Sequence, residues 1–222
     1  MNQSSVPRLL STAGLATLWT RVLLITMLGV TAVVGVAHLL AGEPVRVVAG
    51  LLTLAYLAWL AMEAPVTFRT PAQAVAESRT LTAYVSARTL LVLAAVLLPL
   101  PWSDWSIWMV APIALFVGGV ALRTIAIRAL GRQYTHHVLR RDEHKLVTTG
   151  PYRWLRHPAY AGMLAANVGF VVFFLNPLSA VALVLLAAVL VWRLLTEERV
   201  LWSVPGYPDF AAARARLLPG VW

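Results

Sequence analysis

Six apolar stretches dominate this 222-residue chain and decide what it can fold into: residues 21–41, 45–62, 84–100, 106–122, 159–175 and 177–192. A hydrocarbon core of about 30 Å is crossed by roughly 20 helical residues, within a range near 17–25. The composition agrees: 60% of residues are hydrophobic and only 12% charged, against roughly 25% charged in a soluble domain. Too little polar surface remains to coat a water-facing globule. The expected fold class is all-α: a polytopic transmembrane helical protein of about six spans, closing on a tight C-terminal helical hairpin at Asn176-Pro177. Arg88 interrupts the third stretch near one end, where its side chain is expected to snorkel to the interface.

The basic residues orient these spans. With six spans and a cytoplasmic N-terminus, seventeen of the eighteen Lys and Arg residues fall on the inner side, and only Arg46 falls outside. That is the positive-inside pattern, and both termini are therefore expected in the cytoplasm. A five-span chain would put its two basic C-terminal segments on opposite faces. The net charge of +9 is better read as loops near anionic lipid than as a nucleic-acid surface. No cleavable signal peptide is expected, because the first apolar run is longer than a signal core. Residues 1–20 look like an amphipathic helix on the inner surface. Residues 64–83, with two prolines, read as an inner loop carrying a short interfacial helix. There is no internal repeat.

Polar chemistry is concentrated in the last third. Residues 123–160 hold His136, His137, His144 and His157, whereas His38 lies alone in the first span and is given no role. The sharpest segment is HKLVTTGPYRWLRHPAYAG, residues 144–162. It reads as a looped piece, a Gly150-Pro151 turn, a basic amphipathic piece, and then His157-Pro158 opening the fifth span. Free N–H groups at that helix start suit a carboxylate or a ribose hydroxyl. The plainer reading is a basic inner loop with Tyr152, Trp154 and Tyr160 as interface anchors. The second segment is RLLTEERVLWSVPGYPDFAAARARLLP, residues 193–219. Arg193 and Glu197 share a helix face at i and i+4. Glu197 and Glu198 stand close to the membrane, where ionisable groups are costly and often functional. The plainer reading is an Arg-Glu pair closing a span. Tyr207, Phe210 and Leu217 are available for packing.

Several chemistries are excluded or disfavoured. Without cysteine there are no disulfides, thiolate metal sites or cysteine nucleophiles. GxGxxG, GxxxxGK[ST] and HExxH are absent, which argues against Rossmann, P-loop and zincin enzymes. No metal site is expected, because adjacent His136 and His137 point apart on most backbones and no carboxylate-rich helix joins His144 to them.

Taken together, the two segments resemble the isoprenylcysteine carboxyl methyltransferase family and the related membrane phospholipid methyltransferases. The pattern consists of His144, Leu146 and Val147, then Gly150-Pro151-Tyr152, then Arg156-His157-Pro158-Ala159-Tyr160-Ala161-Gly162. After the apolar hairpin come Arg193, Glu197-Glu198 with Leu201, and Gly206-Tyr207 with Phe210. It covers roughly residues 118–222, while residues 1–110 carry no motif and look like transmembrane scaffold. The domain division expected from the resemblance is thus scaffold to residue 110 and a methyltransferase region from 111 to 222.

The resemblance implies S-adenosyl-L-methionine as cofactor in a cytoplasm-facing site. By position, His144, Lys145, Leu146, Val147, Tyr152, His157, Pro158, Ala159, Tyr160 and Glu197 would bind it. The backbone of 144–147 would hold the adenine and ribose, the start of the fifth span the methionine part, and Glu197 the ammonium group. His137 falls where relatives commonly carry a glutamine that contacts the cofactor. Arg193 would hold the acceptor group, and Glu198 or a histidine would take a proton where the acceptor is an amine or hydroxyl. The implied enzyme is a methyltransferase, by expectation an O-methyltransferase, acting on a lipophilic or lipid-linked acceptor that enters between helices. The fifth and sixth spans would form one wall of that entry. Membrane lipids are the other expected partner, with no nucleic acid and no obligate protein partner. Two other readings use the same residues differently. RHPxY also occurs in NADPH-dependent membrane reductases, and Arg140, Arg141 and Lys145 would serve such an enzyme as a phosphate-binding cluster. A non-enzymatic scaffold or transporter is the third, although transporters usually show two matching halves.

Overall fold

The computed structural model describes residues 12–68, 75–131, 146–220 and 222. They form seven α-helices: α1 (Thr12–Ala41), α2 (Pro44–Phe68), α3 (Val75–Leu97), α4 (Val110–Leu130), α5 (Pro158–Phe173), α6 (Pro177–Leu201) and α7 (Tyr207–Ala212). The only extended pairing among the described residues is a single parallel bridge between Leu155 and Ala215. The chain is an all-α, multi-pass membrane protein. Five helical segments are long and apolar enough to cross a bilayer: Gly14–Ala41, Pro44–Glu63, Arg79–Leu97, Ile107–Leu130 and Pro177–Leu201. The sixth apolar helix, α5, has 16 residues. At 1.5 Å per residue it is about 24 Å long, short of a full hydrocarbon core. It lies inside the bundle, with much of its surface covered by protein.

Local chemistry sets the helix ends. Asn176 caps α6 by accepting from the Ser179 N–H at 2.8 Å, and Ser179 Oγ accepts in return from the Asn176 N–H at 3.1 Å. This reciprocal box, with Pro177 at the first helical position, makes the α5–α6 turn sharp. Gly206 precedes α7 with φ of +80°, a conformation that a side chain would strain.

α4 and α5 approach closely enough for backbones to touch. A Cβ on Gly162 would lie 2.6 Å from Arg123 N and 2.7 Å from Gly119 O, and one on Gly169 would lie 2.5 Å from Phe116 N. Small residues permit such contact, which supplies dispersion attraction where lipid offers no hydrophobic contrast. α5 therefore lies chiefly on α4, while α6 lies chiefly on α3.

Cross-bundle contacts show which helix segments meet. The start of α5 meets the end of α4 where Arg123 donates to Ala159 O at 3.1 Å, and the end of α6 meets the start of α3 where Arg193 donates to Thr80 at 3.2 Å. Trp19 near the start of α1 reaches Ser86 of α3 at 3.2 Å. At the opposite end, Asn176 donates to Ala94 O at 2.9 Å and Trp102 to Phe173 O at 2.7 Å. The α5–α6 hairpin thus returns to the face it left.

Three expectations are corrected. Arg88 does not snorkel: its side chain is buried inside the bundle. It donates to Glu63 at 2.7 Å, Tyr84 at 2.6 Å and Tyr56 at 3.0 Å. Its guanidinium also stands 4.3 Å from the centre of the Trp59 ring. Glu63 further accepts from Arg123 of α4. Tyr56 in turn donates to Asn167 Oδ1 of α5 at 2.7 Å. Glu63 supplies the counter-charge, and the tyrosine hydroxyls the further acceptors, that a buried guanidinium requires. Second, residues 12–20 are not a separate surface helix but the first turns of α1; residues 1–11 lie outside the described ones. Third, the inner loop expected over 64–83 is largely helical, since α2 runs to Phe68 and α3 begins at Val75.

Candidate active site

Two of the sequence segments singled out above meet at the end of the bundle where α4 and α6 finish and α5 begins. The apolar part contains Leu146, Val147, Tyr152 and Ala159, packed with Ala126 and Leu130 of α4 and with Leu201, Val204, Tyr207, Phe210 and Ala211. Gly150, at φ of +59°, turns the chain into a 3-10 turn over Gly150–Arg153 that delivers the Tyr152 ring inward. Gly206 brings α7 against Leu146, whose nearest atom would be 3.5 Å from a Cβ there. Pro158 and Ala159 are buried at the first turn of α5, and Tyr160 is partly buried with its ring edge to His157 at 5.9 Å.

The polar part is built on the last turns of α6. Glu198 is buried at 3% exposure. Its carboxylate accepts from Arg216 Nε at 3.0 and 3.2 Å and from Arg156 at 3.4 Å, and it lies 3.2 Å from His157 Nε2. Glu197, one residue earlier, is only partly buried. Arg193, one turn before Glu197, is buried and turned toward α3. The chain's end locks the arrangement. Arg156 N donates to Ala215 O at 2.8 Å and His157 N to Arg216 O at 3.1 Å, while Arg214 donates to Tyr152 O at 2.9 Å. This strap holds the segment 152–157 in place; its residue types are ordinary, and only the repeated arginines at 214 and 216 hinted at it.

One buried polar group here has no partner. The Tyr207 hydroxyl makes no hydrogen bond among the described residues, although the residue is 2% exposed. Burial pushes its proton affinity above the usual tyrosine range, and the nearby Glu198 carboxylate adds to this.

Of the expected site residues, Leu146, Val147, Tyr152, His157, Pro158, Ala159, Tyr160, Arg193, Glu197 and Glu198 are therefore gathered at one end of the bundle. His137, His144 and Lys145 lie outside the described residues. No group of histidines and carboxylates suited to a metal occurs among the described residues.

The fold and this site define a helical membrane protein whose expected site residues gather at one end of the bundle. Comparison with known proteins then narrows the class. Residues 112–203 match the isoprenylcysteine carboxyl methyltransferase (ICMT) family, so the resemblance read from the motifs is borne out over that region. Protein-S-isoprenylcysteine O-methyltransferase B of Arabidopsis thaliana is 45% identical over 88 residues, 39% of this chain and 43% of that protein. The human protein-S-isoprenylcysteine O-methyltransferase is 34% identical over 94 residues, 41% of this chain and 32% of that protein. The chain spans about half the length, or less, of the curated relatives it matches. Among solved structures, the eukaryotic intramembrane Ras methyltransferase ICMT shares the fold, with a TM-score of 0.61 at 23% identity, covering 87% of this chain and 74% of that one.

Proposed function

We propose that this protein is an integral-membrane methyltransferase that uses S-adenosyl-L-methionine to methylate the carboxylate of a lipophilic, isoprenylcysteine-like acceptor. The observation carrying this reading is the meeting of segment 146–160 with the end of α6, which puts His157 and Glu198 in contact across 41 residues of sequence within the region that matches ICMT. The residues present suit such a donor. An apolar, aromatic-lined patch from Leu146, Val147, Tyr152 and Ala159 fits a nucleoside, and the carboxylate of Glu197 fits an ammonium group.

S-adenosylmethionine supplies a methyl group already activated on a sulfonium, so the protein's task is alignment and exclusion of water. Leu146, Val147, Tyr152 and the first turn of α5 hold the donor; Glu197 orients its amino-acid end. Arg193, on the same helix face one turn away, holds the acceptor carboxylate, which is ionised at neutral pH and needs no base. Both oxygens of Glu198 are already engaged. We therefore assign it to positioning His157 and the C-terminal strap rather than to accepting a proton. His137, His144 and Lys145 complete the donor site by position in the family pattern. Residues 111–222 supply the donor site, and residues 1–110 supply scaffold and the α3 wall behind Arg193.

We assign the end of the bundle that holds the site to the cytoplasm, with both termini there, because the sequence concentrates its basic residues in the segments expected on that side. A water-soluble donor is available on that side, and a lipid-linked acceptor enters between α5 and α6 from the bilayer. The reductase and scaffold readings are not favoured by the O-methyltransferase relatives. The test is to incubate detergent-purified protein with methyl-labelled S-adenosylmethionine and either farnesylated cysteine or total lipid extract. Base-labile label in the prenylcysteine fraction is expected; base-stable label on lipid amines would overturn O-methylation, and no transfer to any acceptor would overturn the enzyme.

A further inference from the structure

Tyr207 presents an unusual combination. Its ring is fully enclosed, edge-on to Trp202 at 5.5 Å and beside Phe210 at 5.8 Å. It is a member of the apolar cluster that contains Tyr152 and Ala159, with Leu146 and Val147 against it. Its hydroxyl nevertheless has no hydrogen-bond partner among the described residues. A buried hydroxyl left unbonded costs about 1–3 kcal/mol, and a phenylalanine would fill the same space without that cost. The same cluster includes Leu201 at the end of α6, three residues beyond Glu198. Glu198, Arg156 and Arg216 already satisfy one another, so none of them supplies the missing partner. Tyr207 therefore packs where the apolar patch meets the end of α6 that carries Glu197 and Glu198.

We propose that the Tyr207 hydroxyl is a ligand contact of the methyl-donor site and donates its hydrogen bond to the carboxylate of the donor's amino-acid end. This rests on the reading of the site as one for S-adenosylmethionine. The apolar patch takes the nucleoside, so the zwitterionic end falls toward the charged end of α6. There Glu197 takes the ammonium, and a phenolic O–H is a fitting donor to the carboxylate, while Arg156 and Arg216 favour an anion nearby. Tyr207 belongs to the Gly206-Tyr207 pair noted in the sequence but lies beyond residue 203, where the match to the family model ends; the contact comes from α7.

The test compares full-length wild-type protein with Tyr207→Phe in detergent, by calorimetry with S-adenosylmethionine and with decarboxylated S-adenosylmethionine. The second ligand keeps the sulfonium, nucleoside and ammonium but lacks the carboxylate. A charge-assisted bond lost from one ligand predicts roughly tenfold weaker binding of S-adenosylmethionine by the variant, and less than about twofold change with the decarboxylated ligand. The melting temperature of the ligand-free variant should be equal to or above that of wild type, because only an unsatisfied group has been removed. Unchanged affinity for S-adenosylmethionine, an equal loss for both ligands, or a fall in ligand-free melting temperature would overturn the assignment. If the wild-type protein bound neither ligand, the proposed function itself would fall, and this contact with it.

Discussion

Arg216, six residues before Trp222, donates through Nε to both carboxylate oxygens of Glu198, at 3.0 and 3.2 Å. Because Glu198 also faces His157 at 3.2 Å, this one carboxylate joins the end of α6, the start of α5 and the C-terminal strap. Glu198→Ala leaves Arg156 and Arg216 without their counter-charge in a largely buried setting. A loss of about 3 kcal/mol is expected, the low end for a broken buried pair because Arg216 keeps some solvent contact. The apparent melting temperature should fall by several degrees, and donor affinity should fall with it because His157 and Tyr152 lose their support. An unaltered melting temperature would show that the strap does not depend on Glu198.

Glu197 and Arg193 should separate in kinetics. Glu197→Ala is expected to weaken donor binding at least tenfold by calorimetry, since a charge-assisted contact contributes about 1.5–3 kcal/mol. Arg193→Ala should leave donor affinity within about twofold and instead lower kcat/KM for a prenylcysteine acceptor by roughly a hundredfold, through lost orientation of the carboxylate. If the two variants showed the same profile, the division of roles along α6 would be wrong.

The α4–α5 contact predicts opposite signs for a glycine inside it and one facing away from it. Gly162→Ala would place its Cβ 2.6 Å from Arg123 N, and backbone cannot yield as a side chain does. Overpacking of this kind costs about 1–3 kcal/mol. Gly118 has nothing within 4 Å of its would-be Cβ, so Gly118→Ala should stabilise by about 0.5–1 kcal/mol through helix propensity. Thermal unfolding of the two variants in the same detergent reads the difference directly.

Glu63 is the counter-charge for two arginines, Arg88 and Arg123. Glu63→Gln strands those cations inside the bundle and should cost about 3–5 kcal/mol, with sharply reduced yield of folded protein. The pair Arg46–Glu43, with side chains 50% and 69% exposed, is the control: Glu43→Gln should change stability by under about 1 kcal/mol. Equal effects at both positions would mean that the interior pair is solvated.

The sequence by itself determined the class of the molecule. A chain this apolar, with helical runs of bilayer length and arginines on alternate loops, has few ways to satisfy its backbone in lipid, and helices are the economical one. The placement of Tyr152, His157, Arg193 and Glu197 near one membrane face was also legible, because local motifs at element boundaries fix which residues start and end each helix. Only the tertiary structure decided what each ionisable group touches. Arg88 looked like an interfacial cation until Glu63, 25 residues away, proved to face it. The contacts of Glu198 with Arg216 and His157, and the Tyr207 hydroxyl left without a partner among the described residues, are likewise absent from any local pattern. Periodicity reports which face of a helix is apolar, but the pairing of charges depends on how helices far apart in sequence are set side by side. That is fixed by contacts such as Gly119 on Gly162, whose geometry no local pattern contains.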